Sequence, residues 1–304
     1  MMTTLEEWND NLAIDGVLTF VRGQGDMPIV EIRNGLAEAS IALQGAHVLS
    51  FQATGQQPLI WMSPDAVFTK AKSLRGGIPI CWPWFGPHAT DASKPAHGPA
   101  RTTSWQPIAS QSNDDGSTRV SFEMLQSEDT AALCGHALRL RLHVTVGSSL
   151  HLELETTNLG EHAFSLGQAL HTYFQVGDVQ QVSIAGLEGC TYIDKVDGGS
   201  SKQQNGAVNI NAETDRIYLG TSGRCEIIDP SMQRKIIITS SGSASTVVWN
   251  PWVETALKMG DLGQDGYLNM LCVENTNAAD DVVQLGAGAT HRLQADYSTE
   301  SLIP

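Results

Sequence analysis

The sequence predicts an all-β protein, a large antiparallel β-sandwich with few short helices. Apolar and polar residues alternate in short runs along much of the chain, and clusters of Gly, Pro, Asn, Asp and Ser separate those runs. Long amphipathic helices do not alternate with the runs, which favours a sandwich or barrel over a βαβ fold. The 304 residues show no linker-like change of composition and no internal repeat, so we expect one domain, 1–304.

The N-terminal residues 1–15 are predicted to form a helical extension. Thr4 and Glu7 have the spacing of a capping box, in which each side chain accepts a hydrogen bond from the backbone amide of the other residue. The same segment lacks the basic and apolar regions of a secretory signal. No stretch approaches the roughly 18 consecutive apolar residues of a membrane-spanning helix, so we expect no membrane association.

A β-hairpin is the most regular predicted element. Residues 138–146 alternate between apolar and polar, and the alternation resumes over 150–155 after Gly147-Ser148-Ser149. Because side chains on a strand have a period of two, each run has one apolar face, and the short break makes the pair antiparallel. We expect the Arg face of the first strand to pair with the Glu face of the second.

Further short strands are predicted from shorter alternating runs. They are expected at 17–22, 29–33, 37–43, 47–52, 119–125, 226–229, 235–239, 246–250 and 270–274. A helix of two or three turns is predicted over 252–262.

The charge of the chain restricts its partners. It has 33 acidic and 18 basic residues, a formal net charge of −15, which argues against a nucleic-acid partner because such binding depends on clustered Lys and Arg. The same acidity disfavours a small anionic substrate. However, an anion responds to the few groups within a screening length of about 8 Å, so a local pair of arginines can overcome the average charge.

The cysteines and the missing motifs predict chemistry without a cofactor. Five cysteines are scattered singly, with no CxxC pair, which indicates free thiols in a reducing cytosol and hence a cytoplasmic protein. The chain lacks the phosphate-binding, dinucleotide-binding, HExxH and GxSxG motifs. No His, Cys and Asp side chains have close metal-ligand spacing, although ligands far apart in sequence stay open. We therefore expect neither metal nor cofactor, and ordinary acid–base groups.

Three segments depart from the alternating pattern. Residues 73–88, followed by 97–101, are rich in Gly, Pro and aromatics beside Arg and His, which suits a sugar ring or, alternatively, caps an open end of the sandwich. His171 lies in the apolar run 166–174, where a lone histidine is either functional or a hydrogen-bonded core residue. Glu274 lies in the apolar run 270–277, and an unpaired buried carboxylate is costly, so it needs a partner or faces solvent.

Together these segments resemble the hexose-6-phosphate mutarotase branch of the aldose 1-epimerase family. The matching fragments follow the family's order: QGAHVLS at 44–50, RGGIP at 75–79, HGPAR at 97–101, LHTYF at 170–174, VWNPW at 248–252 and CVE at 272–274. The resemblance implies a galactose-mutarotase-like β-sandwich. It also implies interconversion of the α and β anomers of a hexose phosphate such as glucose 6-phosphate, as the small-molecule partner.

The resemblance also implies roles for individual residues. His171 and Glu274 match the catalytic histidine and glutamate of the family. Arg75 and Arg101 match a phosphate clamp, for which the planar guanidinium is suited because it donates two charge-assisted hydrogen bonds at once. Asp215 matches an acidic residue that binds sugar hydroxyls.

Other residues near these motifs are expected to shape the sugar pocket. His97 and Trp84 are predicted sugar contacts, whereas Lys258 and Asp261 are further candidates for lining the site, without an assigned role. Ala96 stands where some relatives have Gln, which removes a polar contact and bears on the identity of the substrate.

Two alternative functions stay open at this point. One is a mutarotase of unphosphorylated aldoses, which would not need the arginine clamp. The other is a non-catalytic carbohydrate-binding sandwich that uses Trp82, Trp84 and Phe85 as a platform. In each case we expect a monomer.

Overall fold

The computed structural model describes residues 4–125 and 127–303, and short β-strands dominate this part of the chain. The strands are β1 Leu18–Arg22, β2 Pro28–Arg33, β3 Ala37–Ala42, β4 His47–Ala53, β5 Ile80–Cys81, β6 Trp105–Ser112, β7 Thr118–Met124, β8 Leu138–Val146, β9 Leu150–Asn158, β10 Phe164–Leu166, β11 Gln168–Leu170, β12 Tyr173–Gln175, β13 Ser183–Ala185, β14 Thr191–Asp194, β15 Ser200–Gln203, β16 Val208–Asn209, β17 Thr214–Leu219, β18 Arg224–Asp229, β19 Arg234–Ser241, β20 Ser245–Asn250, β21 Met270–Asn277, β22 Val283–Leu285 and β23 Thr290–Ser301. The α-helices are α1 Leu5–Leu12, α2 Glu128–Cys134 and α3 Trp252–Met259, with 3-10 turns at Gln24–Asp26, Ala100–Thr102, Gly266–Leu268 and Ala279–Asp281.

The strands form two large antiparallel sheets, so the predicted all-β sandwich is confirmed. One sheet has nine strands in the order β16-β13-β18-β19-β23-β9-β8-β7-β6. The other has eight, in the order β15-β14-β17-β20-β21-β11-β5, with β12 also paired to β21. A four-stranded sheet β1-β2-β3-β4 and the pair β10-β22 complete the architecture.

The core lies between the sheets and is continuous. Leu142 and Leu152 of the nine-stranded sheet, Val248 and Val273 of the eight-stranded sheet, and Ile41 of the four-stranded sheet belong to one buried cluster. Full burial of one such side chain contributes about 1.5–3 kcal/mol. Because alternate residues of a strand face opposite sides, β20 and β21 also present side chains away from this core, and the candidate site is built on that second face.

The predicted hairpin is confirmed, although its charges pair differently from the expectation. Strands β8 and β9 are antiparallel from Leu138 to Asn158, with Arg141 opposite Glu155. The guanidinium of Arg141 instead contacts Glu123 of β7 at 2.6 Å, and Glu155 accepts from Arg292 of β23. Each strand of the hairpin has a second neighbouring strand in the sheet, so its charged side chains have possible partners on both sides.

The helices agree with the sequence in part. The capping box of Thr4 and Glu7 is present at the start of α1, within the predicted extension 1–15, of which residues 1–3 lie outside the described part. Helix α3 ends at Met259, earlier than the predicted 252–262, at the left-handed Gly260. Helix α2 was not predicted. No helix in the described ranges is long and apolar enough to cross a membrane.

Several strands were not predicted from the sequence, and β23 is the longest of them. Its buried positions Leu293, Ala295 and Tyr297 do alternate with more exposed ones. Alanine and tyrosine are weakly hydrophobic, and the strand also contains Thr, Ser, Gln and Asp, so the apolar period was too faint to detect. The strand is nevertheless central, because it joins β19 to β9.

A glycine-containing turn places the loop after β5 against the sandwich. The amide of Trp82 donates to the carbonyl of His97 at 3.0 Å, and the amide of His97 donates to the carbonyl of Gly86 at 2.8 Å. Gly98 follows with a φ of 69°, and a Cβ added there would lie 1.9 Å from the carbonyl oxygen of Trp82. Only glycine fits this approach of two backbones.

We expect Gly98→Ala to lower the free energy of unfolding by about 3 kcal/mol or more, because the new Cβ forces the two backbones apart. Gly189→Ala is a matched control: Gly189 has a φ of 79°, but no described atom lies within 4 Å of the added Cβ. The free energy of unfolding of that variant should fall only by about 1–2 kcal/mol, the cost of placing a residue with a Cβ in the left-handed region. Urea unfolding followed by tryptophan fluorescence measures both, and equal losses would contradict the expected clash.

Candidate active site

Strand β21 carries Glu274 into the centre of the eight-stranded sheet. Every residue of this strand is buried. Leu271 and Val273 face the inter-sheet core, whereas Met270 and Cys272 belong to a separate cluster on the opposite face. Glu274 follows Cys272 on that opposite face by the period of two, and only 1% of it is exposed. The solvent-facing alternative for this carboxylate is therefore wrong.

His171 lies directly opposite Glu274 on the neighbouring chain segment. Strand β11 pairs with β21 up to Leu170 opposite Asn275, and β12 resumes the same register with Tyr173 opposite Cys272. The intervening residues keep this register, so the imidazole and the carboxylate project from facing positions. His171 Nε2 is 3.4 Å from Glu274 Oε1.

Aromatic rings enclose the imidazole of His171. The ring of Tyr173 stacks on it with centroids 5.0 Å apart and an interplanar angle of 12°. Trp249 of β20 and His97 of the loop approach edge-on, each with a centroid distance of 5.9 Å. These contacts fix the plane of the imidazole of His171. They also show that His97, which the sequence predicts as a sugar contact, lies beside His171.

The pairing of β21 with β20 and of β20 with β17 extends the site across the eight-stranded sheet. Cys272 of β21 is opposite Trp249 of β20, and Trp249 is opposite Asp215 of β17. The row Tyr173–Cys272–Trp249–Asp215 therefore runs beside the row that contains His171 and Glu274. Asp215 is half-buried on the same face as the carboxylate, in keeping with its predicted place at the sugar hydroxyls.

Burial disfavours the ionised form of Glu274. Loss of solvent raises the pKa of its carboxyl group well above the usual value, and the nearby negative charge of Asp215 raises it further. The positive charge of Arg101 acts in the opposite direction. The predicted base is thus a carboxyl group whose proton is held more tightly than in water.

Burial acts on the two histidines as well. It lowers the pKa of His171 well below its usual value, and the charges of His97 and Arg101 lower it further. Burial and the charge of Arg101 lower the pKa of His97 to about 4, so that imidazole is neutral at pH 7. A neutral His97 avoids a second cation beside His171.

Arg75 is already held by neighbours. Its Nε donates to Asp261 Oδ1 at 3.0 Å, and one terminal nitrogen donates to the hydroxyl of Tyr173 at 3.2 Å. Burial would lower the pKa of Arg75, but its contacts with Tyr173 and Asp261 outweigh burial and raise it. Asp261, which the sequence left without a role, therefore partly neutralises one member of the predicted clamp.

Arg101 has the opposite character. It has no ion-pair partner within residues 4–125 and 127–303, and its terminal nitrogen donates to the carbonyl of Ala96 at 3.1 Å. Its charge nevertheless acts on both Glu274 and His171. No described carboxylate neutralises the charge of Arg101. The backbone carbonyl of Ala96 accepts its hydrogen bond, which the methyl side chain of Ala96 cannot do.

Trp82 cannot belong to the binding platform that one alternative function requires. Trp82 is fully buried, and its indole donates to Thr156 at 3.0 Å. The indole of Trp84 donates to the carbonyl of Pro95 at 3.0 Å, and its ring lies under the ammonium of Lys94 at 5.6 Å. The recorded side-chain contacts of Trp84 thus lie within its own loop, and the predicted sugar contact stays a prediction.

The backbone directly after Arg75 is set by His47. Its Nε2–H donates to the carbonyl of Gly76 at 2.8 Å, and a Cβ on Gly77 would lie 2.3 Å from the same nitrogen. Gly76 and Gly77 both have positive φ angles, 104° and 71°. A buried imidazole therefore fixes the turn that presents Arg75.

Sequence reasoning missed Tyr173, Trp249 and Cys272 as parts of the site. Tyr173 and Cys272 each lie two residues from a predicted catalytic residue, so the strand period alone places them on the same face. Trp249 has no such signal, because its position depends on the pairing of β20 with β21. All five cysteines are free, as the sequence predicted.

Comparisons with known proteins agree with this architecture. The family model described as aldose 1-epimerase matches residues 28–298. A relative from Escherichia coli (strain K12), provisionally named a glucose-6-phosphate 1-epimerase, is 37% identical over 256 residues, 84% of this chain and 85% of the relative.

Solved structures extend the comparison to the fold. The crystal structure of a protein from Salmonella typhimurium, provisionally named a mutarotase, has a TM-score of 0.88 and 33% identity and covers 95% of this chain and 96% of that one. A galactose mutarotase related enzyme from Lactobacillus acidophilus has a TM-score of 0.70 at 12% identity, covering 90% and 98%, a likeness of fold alone. The expected galactose-mutarotase-like sandwich is confirmed.

We expect His47→Gln to reduce the acid sensitivity of the fold. Burial, helped by Arg101 and opposed by the bond to Gly76, lowers the pKa of His47 to about 4. A depressed pKa means that stability is fully present above about pH 6.5 and is lost as pH falls towards 4, at up to roughly 1.4 kcal/mol per pH unit. The glutamine amide can still donate to Gly76 but does not titrate. Urea unfolding at pH 7, 5.5 and 4.5 tests this, and identical pH dependences for both proteins would refute it.

Proposed function

The chain belongs to the aldose 1-epimerase family, and from that premise we propose that it is an isomerase that interconverts the α and β anomers of a hexose 6-phosphate. The observation that carries the proposal is the buried pair of His171 and Glu274, 3.4 Å apart, with the uncompensated charge of Arg101 acting on both. Glucose 6-phosphate is the substrate we favour, because relatives 37% identical to this chain are provisionally named glucose-6-phosphate 1-epimerases.

Anomer exchange needs one base and one acid. The base removes the proton of the anomeric hydroxyl while the acid protonates the ring oxygen, so the bond between C1 and the ring oxygen breaks and an open aldehyde forms. Rotation about C1–C2 presents the other carbonyl face before the ring closes again. Each of these proton transfers is worth about 10²–10⁴ in rate.

The pair supplies both groups with a single mobile proton. Burial favours the form in which Glu274 is protonated and His171 is neutral. Ring opening uses the other form of the pair, in which the same proton has moved to His171, so that Glu274 is the carboxylate and His171 the imidazolium. After the two transfers, Glu274 carries the hydroxyl proton and His171 is neutral. Ring closure on either face reverses both transfers and restores the starting state, so no co-reactant is consumed.

The arginines supply the recognition of a phosphate ester. Arg101 is the stronger candidate, because no carboxylate of the described residues pairs with it. Arg75 is shared with Asp261 and Tyr173, which leaves it fewer free donors and less net charge. A phosphate held by both would form charge-assisted hydrogen bonds worth about 1.5–3 kcal/mol each.

We propose that the protein is active as a monomer, because the described residues of a single chain are enough to build the proton-transfer pair and both arginines. The cellular location we propose is the cytoplasm, because all five cysteines are free thiols, which fits a reducing compartment.

We expect Glu274→Gln to lower kcat/KM for anomer exchange of glucose 6-phosphate by about 100-fold or more, because the amide cannot accept the hydroxyl proton. NMR exchange spectroscopy measures the rate above the buffer background. The exposed Glu38, paired with Arg33 at the surface, provides the matched control Glu38→Gln, which should keep wild-type rates. If Glu274→Gln exchanges anomers at the wild-type rate while ligand affinity falls, the protein is a binder and not this enzyme.

Arg101→Ala should raise KM for glucose 6-phosphate by about 10–100-fold, and Arg75→Ala by less, because Asp261 already offsets the charge of Arg75. Turnover of free glucose should fall by less than turnover of the phosphate ester, because the free sugar loses only the effect of the arginine charges on the pKa values of His171 and Glu274. The exposed Arg33 supplies the control Arg33→Ala. Equal losses on the phosphorylated and free sugars would instead favour a mutarotase of unphosphorylated aldoses.

A further inference from the structure

A third potential ligand lies beside the catalytic pair. Cys272 is two residues before Glu274 on β21 and faces the same side of the sheet. One ligand atom each from His171, Cys272 and Glu274 lie within 4.8 Å of one another. His171 is 9% exposed, Glu274 1% and Cys272 not at all, so the three groups form a compact, water-poor cluster.

Two atoms of this cluster lack a partner. Glu274 Oε2 and His171 Nδ1 are buried and have no hydrogen-bond partner among the described residues. A buried polar atom without a partner costs about 1–3 kcal/mol, so native structures pair nearly all of them. The sugar can satisfy these atoms during turnover, and a cation bound on the Nε2 side of His171 can satisfy Glu274 Oε2.

We propose that His171, Cys272 and Glu274 bind one borderline-soft divalent cation, of the Zn²⁺ class, and that this cation inhibits the enzyme. The inhibition rests on the proposed function, whereas the binding does not. The cation is an inhibitor here and takes no part in the acid–base reaction.

The donor set is of the zinc type. Imidazole nitrogen, thiolate sulfur and carboxylate oxygen are the usual ligands of Zn²⁺, at roughly 2.0–2.3 Å. Tetrahedral ligation brings donor atoms to about 3.3–3.8 Å from one another. His171 and Glu274 already meet that spacing at 3.4 Å, and Cys272 needs only a modest side-chain adjustment. Three protein ligands leave a fourth position for water or substrate.

The charges of the ligating groups favour a divalent cation at this buried site. Binding displaces two protons to solvent, the thiol proton of Cys272 and the proton that His171 and Glu274 share. A thiolate, a carboxylate and a neutral imidazole then face the two positive charges, so the site as a whole is neutral. A neutral assembly avoids the high cost of leaving an unpaired charge in a poorly hydrated interior. Mg²⁺ and Ca²⁺ require six or more oxygen ligands, which this cluster cannot provide.

Rigid elements hold the three donors. Cys272 and Glu274 belong to β21, which is paired on both sides, and the His171 segment is flanked by β11 and β12 on the same strand. The sequence did not reveal the group, because His171 lies about 100 residues before the other two. A cation here occupies the base and the acid together, so anomer exchange and cation binding exclude each other.

Co²⁺ is the probe for binding, because thiolate ligation gives an intense near-ultraviolet absorption that oxygen and nitrogen ligands do not. We expect this band in the chelator-treated wild-type protein. It should be absent in Cys272→Ser and retained in Cys225→Ser, which removes a different buried thiol in β18. Circular dichroism confirms the fold of each variant, and Cys272→Ala replaces Cys272→Ser if the serine variant does not fold.

Zn²⁺ titration of anomer exchange tests the inhibition. The inhibitory Zn²⁺ concentration, measured for each protein relative to its own metal-free rate, should rise about tenfold or more in the Cys272 variant, and chelator should restore that metal-free rate. Mg²⁺ should have no effect. A wild-type protein without the thiolate band, or equal Zn²⁺ sensitivity with and without Cys272, overturns the proposal. A protein that shows the cobalt band but never exchanges anomers would refute the proposed function and leave the binding site standing.

Discussion

Burial of one carboxylate on the central strand of a sheet is the constraint on which the site depends. Glu274 is almost fully buried, and loss of solvent raises its pKa and disfavours its charge. His171 at 3.4 Å is the neighbour that can share a proton with it, so the pair can exist in a charged or a neutral form with the same number of protons. A solvated carboxylate could not be coupled to an imidazole in this way, because water would screen and hydrate each separately.

The β-sheet register explains how such a pair is assembled. Cross-strand neighbours have Cβ atoms about 4.5–5.5 Å apart, which brings the ends of a histidine and a glutamate into contact range. Two parallel rows of side chains then follow from the pairing of β12, β21, β20 and β17. One row holds His171 and Glu274, and the next holds Tyr173, Cys272, Trp249 and Asp215. Loops add the arginines and His97 from one side.

The electrostatics of the site differ from those of the whole chain. A net charge of −15 describes the average surface, whereas Arg101 is close enough to act on both Glu274 and His171. The two arginines that looked equivalent in the sequence are not, since Arg75 is paired with Asp261 and Arg101 is not paired within the described residues. The identity of the counter-ion could not be predicted, because Asp261 lies far from Arg75 in sequence and meets it only through the packing after α3.

The sequence by itself determined the sandwich and the hairpin 138–155, because strand periodicity is local. It also singled out His171 and Glu274, because the family motifs around them are continuous fragments, and their roles as acid and base stay a prediction. It could not detect β23, whose small and polar residues weaken the alternation. Only the tertiary structure decided that Trp82 is core, that Arg75 is paired with Asp261 and that Cys272 lies beside His171 and Glu274. Each of these outcomes depends on which segments become neighbours, and that is set by long-range strand pairing and burial.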